Sequence, residues 1–198
     1  SSGKMGYAIA VVAKEMGAHV ELISGPVSLK PIPEIKTSYI ETSSEMMESV
    51  IKKINSNDIF ISTAAIADYH PSNYSNTKHK KSENNIKIEF ERGKDILKTV
   101  SEKYKDIFMV GFAAETNSLE MNTIEKLNNK KLDVVVGNIA NHEKGLGFES
   151  DYNEVVVFSK NSSIEIKYDK KINIAESILK FIAKEYSTKI SLVKSNVK

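Results

Sequence analysis

Asp58-Ile59-Phe60-Ile61-Ser62-Thr63-Ala64-Ala65-Ile66-Ala67-Asp68 is the stretch on which the reading of this chain turns. Asp58 to Ser62 is a compact apolar run with β-branched residues, the pattern of a buried central strand. Small side chains then dominate up to Asp68. Small residues past a strand end let a ligand approach the backbone, whose N–H and C=O groups can bind it. A carboxylate at Asp68 can hold a ribose hydroxyl or a magnesium ion. Alanines packed under a helix, with Asp68 as its cap, account for the same residues equally well.

Outward from this stretch, strands and helices alternate. Upstream, Met5, Ala8, Ile9, Val12, Ala13 and Met16 fall at helical spacing, with Gly17 as C-cap. His19 to Ile23 reads as a short strand, and Ser38-Tyr39-Ile40 as another. Thr42 and Glu45 form a capping-box pair for a helix whose apolar face is Met46, Met47, Val50, Ile51 and Ile54. Downstream, Ile86 to Phe90 alternates as a strand, and Ile96, Leu97, Val100 and Tyr104 mark a helix. Ile107 to Phe112 is a buried strand. Leu119 to Lys130 is a helix with Leu119, Ile124 and Leu127 inward, and Leu132 to Val136 is a third buried strand.

Glu154 to Phe158 and Ser163 to Tyr168 predict a hairpin turned at Lys160-Asn161-Ser162. A last helix is expected over Ile174 to Tyr186 with Asn173 as cap, before a polar tail, residues 187–198, expected to fray. The expectation is an α/β domain over residues 1–186. It is Rossmann-like and doubly wound: a mostly parallel sheet, helices on both faces and a small antiparallel extension. Such a domain ordinarily opens with a strand and a Gly-rich loop. This sequence enters at Ser1-Ser2-Gly3, already at a helix N-terminus, so both are expected upstream on a longer natural chain.

The composition narrows the function. The 198 residues are 40% hydrophobic and 27% charged, with a net charge of +2. That balance lacks the dense basic excess of a nucleic-acid-binding domain. With no cysteine, thiol nucleophiles, disulfides and Cys zinc sites are impossible, and a cytoplasmic setting is expected. No apolar run approaches the roughly 18 residues of a membrane span. His19, His70, His79 and His142 match no zinc spacing.

Ligands of open α/β sheets bind at the carboxyl ends of the strands. Four segments occupy such ends: Ser24-Gly25-Pro26, Thr63 to Asp68, Gly111 to Thr116, and Gly137-Asn138. Phe112 faces a ligand or belongs to the core. Glu115 is a second carboxylate or a charge at a helix start. Lys126 and Lys130 share a helix face, which a solvated surface explains by default. If they and Lys78 converge, they suit a triphosphate.

Taken in series, Ser1-Ser2-Gly3-Lys4-Met5-Gly6, Ser24-Gly25-Pro26, Ala64-Ala65-Ile66-Ala67-Asp68-Tyr69, Lys78-His79-Lys80-Lys81, Asp95-Ile96-Leu97 and Gly111-Phe112-Ala113-Ala114-Glu115-Thr116 resemble bacterial phosphopantothenoylcysteine synthetase. The resemblance runs from residue 1 to about 185. It implies a ligase of coenzyme A biosynthesis that joins 4′-phosphopantothenate to L-cysteine. CTP and magnesium serve the reaction, which passes through an acyl-cytidylate. It further implies CTP contacts from Ser62, Thr63, Ala64, Asp68, Lys78, Lys94, Asp95, Ile96, Leu97, Phe112, Lys126 and Lys130. Lys78 would assist acyl-cytidylate formation, Ala64 and Ala65 would lie beside phosphopantothenate, and Asp68 would take the ribose or the metal. Lys80 to Asn85 would form a mobile flap. A homodimer is implied too, and FMN only in a separate decarboxylase half. The competing classes are a Rossmann-type NAD(P)-dependent oxidoreductase and a nonenzymatic nucleotide-binding module. The oxidoreductase would require GxGxxG after a first strand and an acidic residue about 20 further on.

Overall fold

The structure, a computed structural model, describes residues 2–73, 77, 87–115, 119–139 and 150–195. Helix α1 (Lys4–Glu15) ends where Gly17 takes a left-handed conformation, φ 89°. Strand β1 (Glu21–Ser24) pairs in parallel with β2 (Lys36–Tyr39). Helix α2 (Ser43–Lys53) starts with the expected capping box of Thr42 and Glu45. Then come β3 (Ile59–Ser62), a short antiparallel ribbon of β4 (Tyr69–Pro71) and β5 (Phe90–Arg92), and α3 (Ile96–Lys103). The rest of the chain forms β6 (Phe108–Glu115), α4 (Leu119–Asn129), β7 (Val134–Ile139), β8 (Tyr152–Ser159), β9 (Ser163–Lys170) and α5 (Lys171–Ser195).

The main sheet has the order β3-β6-β7-β8-β9. Its first three strands are parallel, with Ser62 beside Gly111 and Ala113 beside Gly137. The β8–β9 hairpin adds the antiparallel extension. Residues along each strand alternate between two cores, as a two-residue period requires. Phe108, Val110, Val134 and Val136 pack toward α1 and α5. Met109, Ala113 and Val135 pack toward α2, α3 and α4. Val134, Val135 and Val136 are fully buried, each stabilising the sheet by about 1.5–3 kcal/mol. The doubly wound α/β expectation therefore holds. No described helix is long and apolar enough to cross a membrane.

Several local expectations are corrected. The strand expected at Ile86 to Phe90 lies instead at Phe90–Arg92, since only there does a partner strand supply ladder bonds. Ile88 and Phe90 stay 60% exposed, so their alternation marks no buried face. Ile86 lies outside the described residues. On α4, Ile124 points outward at 38% exposure, whereas Thr123 and Leu127 are buried. The inward stripe is offset by one residue because 123 and 127 share one helix face. The side chain of Leu119 is outside the description.

Helix α5 runs further than expected at both ends. Asn173 lies inside its first turn, donating to Asp169 Oδ1 at 3.0 Å rather than capping. The stretch from Ser187 does not fray but stays helical to Ser195. Ser187, Thr188 and Ser191 donate their hydroxyls to carbonyls four residues back, at 2.8, 3.0 and 2.9 Å. Lys189 anchors the extension by two bonds to Asp133, at 2.8 and 3.0 Å.

Candidate functional site

A cavity of about 780 Å³ opens at the carboxyl ends of β1, β3, β6 and β7. Close approaches of the main chain shape it. A Cβ on Gly6 would stand 2.7 Å from Thr63 Oγ1, so only glycine lets α1 come this near the loop after β3. Gly93 N–H donates to the Asp68 carbonyl at 2.8 Å and ties that loop to the start of α3. A Cβ on Gly111 would meet Leu132 Cδ1 at 2.7 Å and Leu97 Cδ2 at 2.8 Å. The first turn of α3 can therefore settle against the sheet only because β6 carries no side chain there.

Every site residue expected from the sequence lines this cavity except Lys78, which lies outside the described residues with the flap Lys80 to Asn85. The loop after β3 contributes Ser62, Thr63, Ala64, Ala65 and Asp68. No helix follows it, and Ala64, Ala65, Ala67 and Asp68 are exposed. That removes the reading in which the alanines pack under a helix capped by Asp68. Lys94, Asp95, Ile96 and Leu97 form the opposite lip at the start of α3, where Ile96 and Leu97 are buried. Phe112 is half-buried, packed against the core beneath α1 and lining the cavity with the rest of its ring. The side chain of Glu115 and residues 116–118 are outside the description.

Lys126 and Lys130 turn inward, so their helix face is not a solvated one. Lys126 Nζ donates to the Phe112 carbonyl at 2.5 Å. Lys130 Nζ pairs with Asp95 Oδ2 at 2.8 Å. Asp95 also caps α3, accepting from Lys98 N–H at 3.0 Å. Burial raises its carboxyl, but hydrogen bonds from Lys130 and Lys98 N–H, with the charges of Lys130 and Lys126, hold it below the usual range. The described lining holds five lysines, Lys4, Lys94, Lys126, Lys130 and Lys171, against three carboxylates, Glu41, Asp68 and Asp95. Such a surplus favours an anionic ligand. Among the described residues no group of three or more His, Asp or Glu could hold a metal ion. A divalent cation here would lean on a ligand's phosphates and one carboxylate, as magnesium commonly does, and Asp68 is placed to be that carboxylate.

Sequence reasoning assigned no role to four lining residues. Asn138 follows Gly137 in β7, and its buried Oδ1 has no hydrogen-bond partner among the described residues. Its place at a strand end was the only signal. Tyr7 donates to Ser24 Oγ at 3.3 Å, joining α1 to the end of β1. Lys171 and Asn153 gave no signal, because their nearness to α1 arises from long-range packing.

In this doubly wound α/β domain, small residues and main-chain groups on one wall with lysines on the other suit a phosphorylated ligand. Comparison with known proteins agrees: over residues 1–186 the chain belongs to the family of DNA/pantothenate metabolism flavoprotein C-terminal domains. It is 40% identical over 185 residues to the coenzyme A biosynthesis bifunctional protein CoaBC of Bacillus subtilis (strain 168), covering 92% of this chain and 45% of that one. Against CoaBC of Escherichia coli (strain K12) the identity is 35% over 193 residues, covering 96% and 47%. The chain thus spans about half the length of these relatives. The crystal structure of a CoaBC C-terminal domain superposes with a TM-score of 0.77 at 37% identity, covering 96% of this chain and 84% of that one. The flavoprotein of that family from Streptococcus pneumoniae shares the fold, with a TM-score of 0.76 at 20% identity, covering 93% and 89%.

Proposed function

We propose that the domain is a CTP-dependent phosphopantothenate–cysteine ligase of coenzyme A biosynthesis. The observation that carries this reading is the cavity itself. In a chain of this family, it gathers Ser62 to Asp68, Lys94 to Leu97, Phe112, Lys126 and Lys130 around one space. The N–H groups at the start of α3 and the carbonyls beside them suit the edge of a cytosine. Phe112 bounds the nucleoside, and Lys126 and Lys130 offset phosphate charge. Asp68 takes the ribose or the cation, and Ala64 and Ala65 leave room for phosphopantothenate. Lys78, from sequence likeness alone, assists at the reacting phosphate.

The chemistry needs no enzyme nucleophile. A carboxylate oxygen of phosphopantothenate attacks the α-phosphorus of CTP, and pyrophosphate leaves. The cysteine amine then attacks the acyl carbon, forms the amide, loses a proton and expels CMP. Magnesium, when bound, spreads the charge developing on the phosphate oxygens. The domain's own work is to position groups and to hold dipoles and cations against that charge. A homodimer is part of the proposal, and β9, the outermost strand of the main sheet, offers an edge for it.

The test is thermal unfolding with magnesium and CTP, ATP or NAD. At about 100 times its Kd, a ligand adds roughly 2.7 kcal/mol. For a domain of this size that raises Tm by about 5–10 °C. CTP is expected to give the largest rise. Equal shifts with all three sink the nucleotide assignment.

A further inference from the structure

Beyond the nucleotide's residues, Lys4 and Lys171 meet at the α1 end of the cavity. They also line a second, smaller pocket of about 290 Å³ with Tyr7, Leu29, Lys30 and Asp151. Because Lys4, Tyr7 and Lys171 border both spaces, the lysine pair stands where the two join. Lys171 is only 8% exposed. Its Nζ donates to the Ser150 carbonyl at 2.5 Å. Lys4 reaches Asp151 Oδ1 at 2.6 Å, where the carboxylate is 76% exposed.

The placement of Lys171 is costly for folding. It is the first residue of α5, at the positive end of the helix dipole, where a cation is disfavoured. Burial pushes its ammonium below the usual lysine range, the charge of Lys4 pushes the same way, and the Asp151 carboxylate opposes. A methionine of similar length would bury there without that penalty. A buried cation beside a like charge, on the wall between two spaces, is the arrangement an arriving anion relieves.

We infer that Lys171 and Lys4 form an anion subsite, distinct from the nucleotide's lysines, for the phosphate monoester or carboxylate of an acidic co-substrate. The inference rests on the ligase reading, which requires two acids besides CTP. Lys126 and Lys130 occupy the wall by Phe112 and Asp95, whereas Lys171 and Lys4 occupy the wall by Tyr7 and Asn153. The smaller pocket provides room beyond the lysines for the remainder of a small acid.

Calorimetric titration of the wild-type protein, Lys171→Met and Lys171→Arg with CTP, 4′-phosphopantothenate and L-cysteine tests the inference. Lys171→Met is expected to bind one of the two acids at least 10-fold more weakly, while its affinity for CTP changes by less than twofold. Lys171→Arg, which keeps the charge, is expected to recover most of that affinity. Loss confined to 4′-phosphopantothenate assigns its phosphate monoester to the subsite, and loss confined to L-cysteine assigns its carboxylate. Wild-type affinity for both acids in Lys171→Met overturns the inference, and so does a CTP loss of the same size. If Lys171→Met fails to fold, Lys4→Gln and Lys171→Arg serve, the former with the weakening expected of Lys171→Met. A wild-type protein that binds none of the three ligands sinks the ligase reading, and the subsite with it.

Discussion

Helix α5 carries one lysine to each end of the main sheet, and the two are treated differently. At the amino ends of β6 and β7, Lys189 makes two bonds to Asp133, which also accepts from Met109 N–H at 2.8 Å. Lys189 Nζ lies 5.4 Å from the centre of the Phe108 ring, and Tyr186 meets the same ring edge-on at 5.6 Å. Burial, and then the nearby Asp58 carboxylate, raise the Tyr186 phenol. At the carboxyl ends, Lys171 is buried beside Lys4, Asn138 keeps a buried oxygen without a partner among the described residues, and small residues leave a cavity. One end settles its charges internally and strengthens the fold. The other gathers charges and polar groups around an open cavity, the kind of end that a functional site keeps at some expense of stability.

The largest effect that tests this contrast is at Lys126. Lys126→Met is expected to weaken CTP binding about 10- to 100-fold, roughly 1.4–2.8 kcal/mol, with Tm lowered by no more than a few degrees. Calorimetry and thermal unfolding on one sample separate the two. A large fall in Tm without loss of affinity would make Lys126 a structural residue through its bond to the Phe112 carbonyl, and the contrast would fail.

Gly111 tests whether the site end can be rebuilt without disturbing the core. A Cβ there meets Leu132 and Leu97 below 3 Å. Gly111→Ala is expected to cost about 1–3 kcal/mol by overpacking, read as a lower urea midpoint. It should also weaken CTP, since Leu97 anchors the turn proposed to face the base. Undiminished CTP affinity would show that α3 relocates without deforming the site.

The smallest effect is a difference between two lysines. Lys189→Met is expected to lose about 1 kcal/mol in urea unfolding at pH 7, a modest figure because water reaches part of its ion pair. Lys171→Met is expected to lose nothing, since it also removes a buried charge. Because the Lys171 ammonium is depressed in the folded state, the unfolded chain holds that proton more tightly. Wild-type stability from this group therefore rises as pH climbs from the folded value toward the ordinary 10.5. The stability difference between Lys171→Met and wild type should shift in favour of wild type over that window. Equal losses from both lysines at pH 7 would erase the distinction between the two ends.

Much of this was legible in the residues. The continuous run at Ile107 to Phe112 announces a strand buried on both faces, because helices on either side demand apolar residues at every position, whereas the similar run at Asp58 to Ser62, read as a buried central strand, forms the half-buried edge strand β3, since strand order in a sheet is set by long-range packing. Thr42 and Glu45 mark a helix start through bonds that close within one turn. Ser187 to Ser195 misled, because a polar composition says nothing about hydroxyls that bond back to their own helix, or about an acid 56 residues away. Ile124 misled because one polar residue, Thr123, takes the buried position beside it.

By itself, then, the sequence determined the alternation of strands and helices, the strand ends where a ligand belongs, and the family likeness of the motifs. These follow from short-range chemistry: period, caps, turns and small residues in line. Only the tertiary structure decided that Lys126 and Lys130 face inward, that no helix among the described residues covers Ala64 and Ala65, and that Lys171 lies beside Lys4 across 166 intervening positions. Such meetings depend on how α1, α4 and α5 pack on the sheet, and no local pattern encodes the direction in which a packed helix turns its charges.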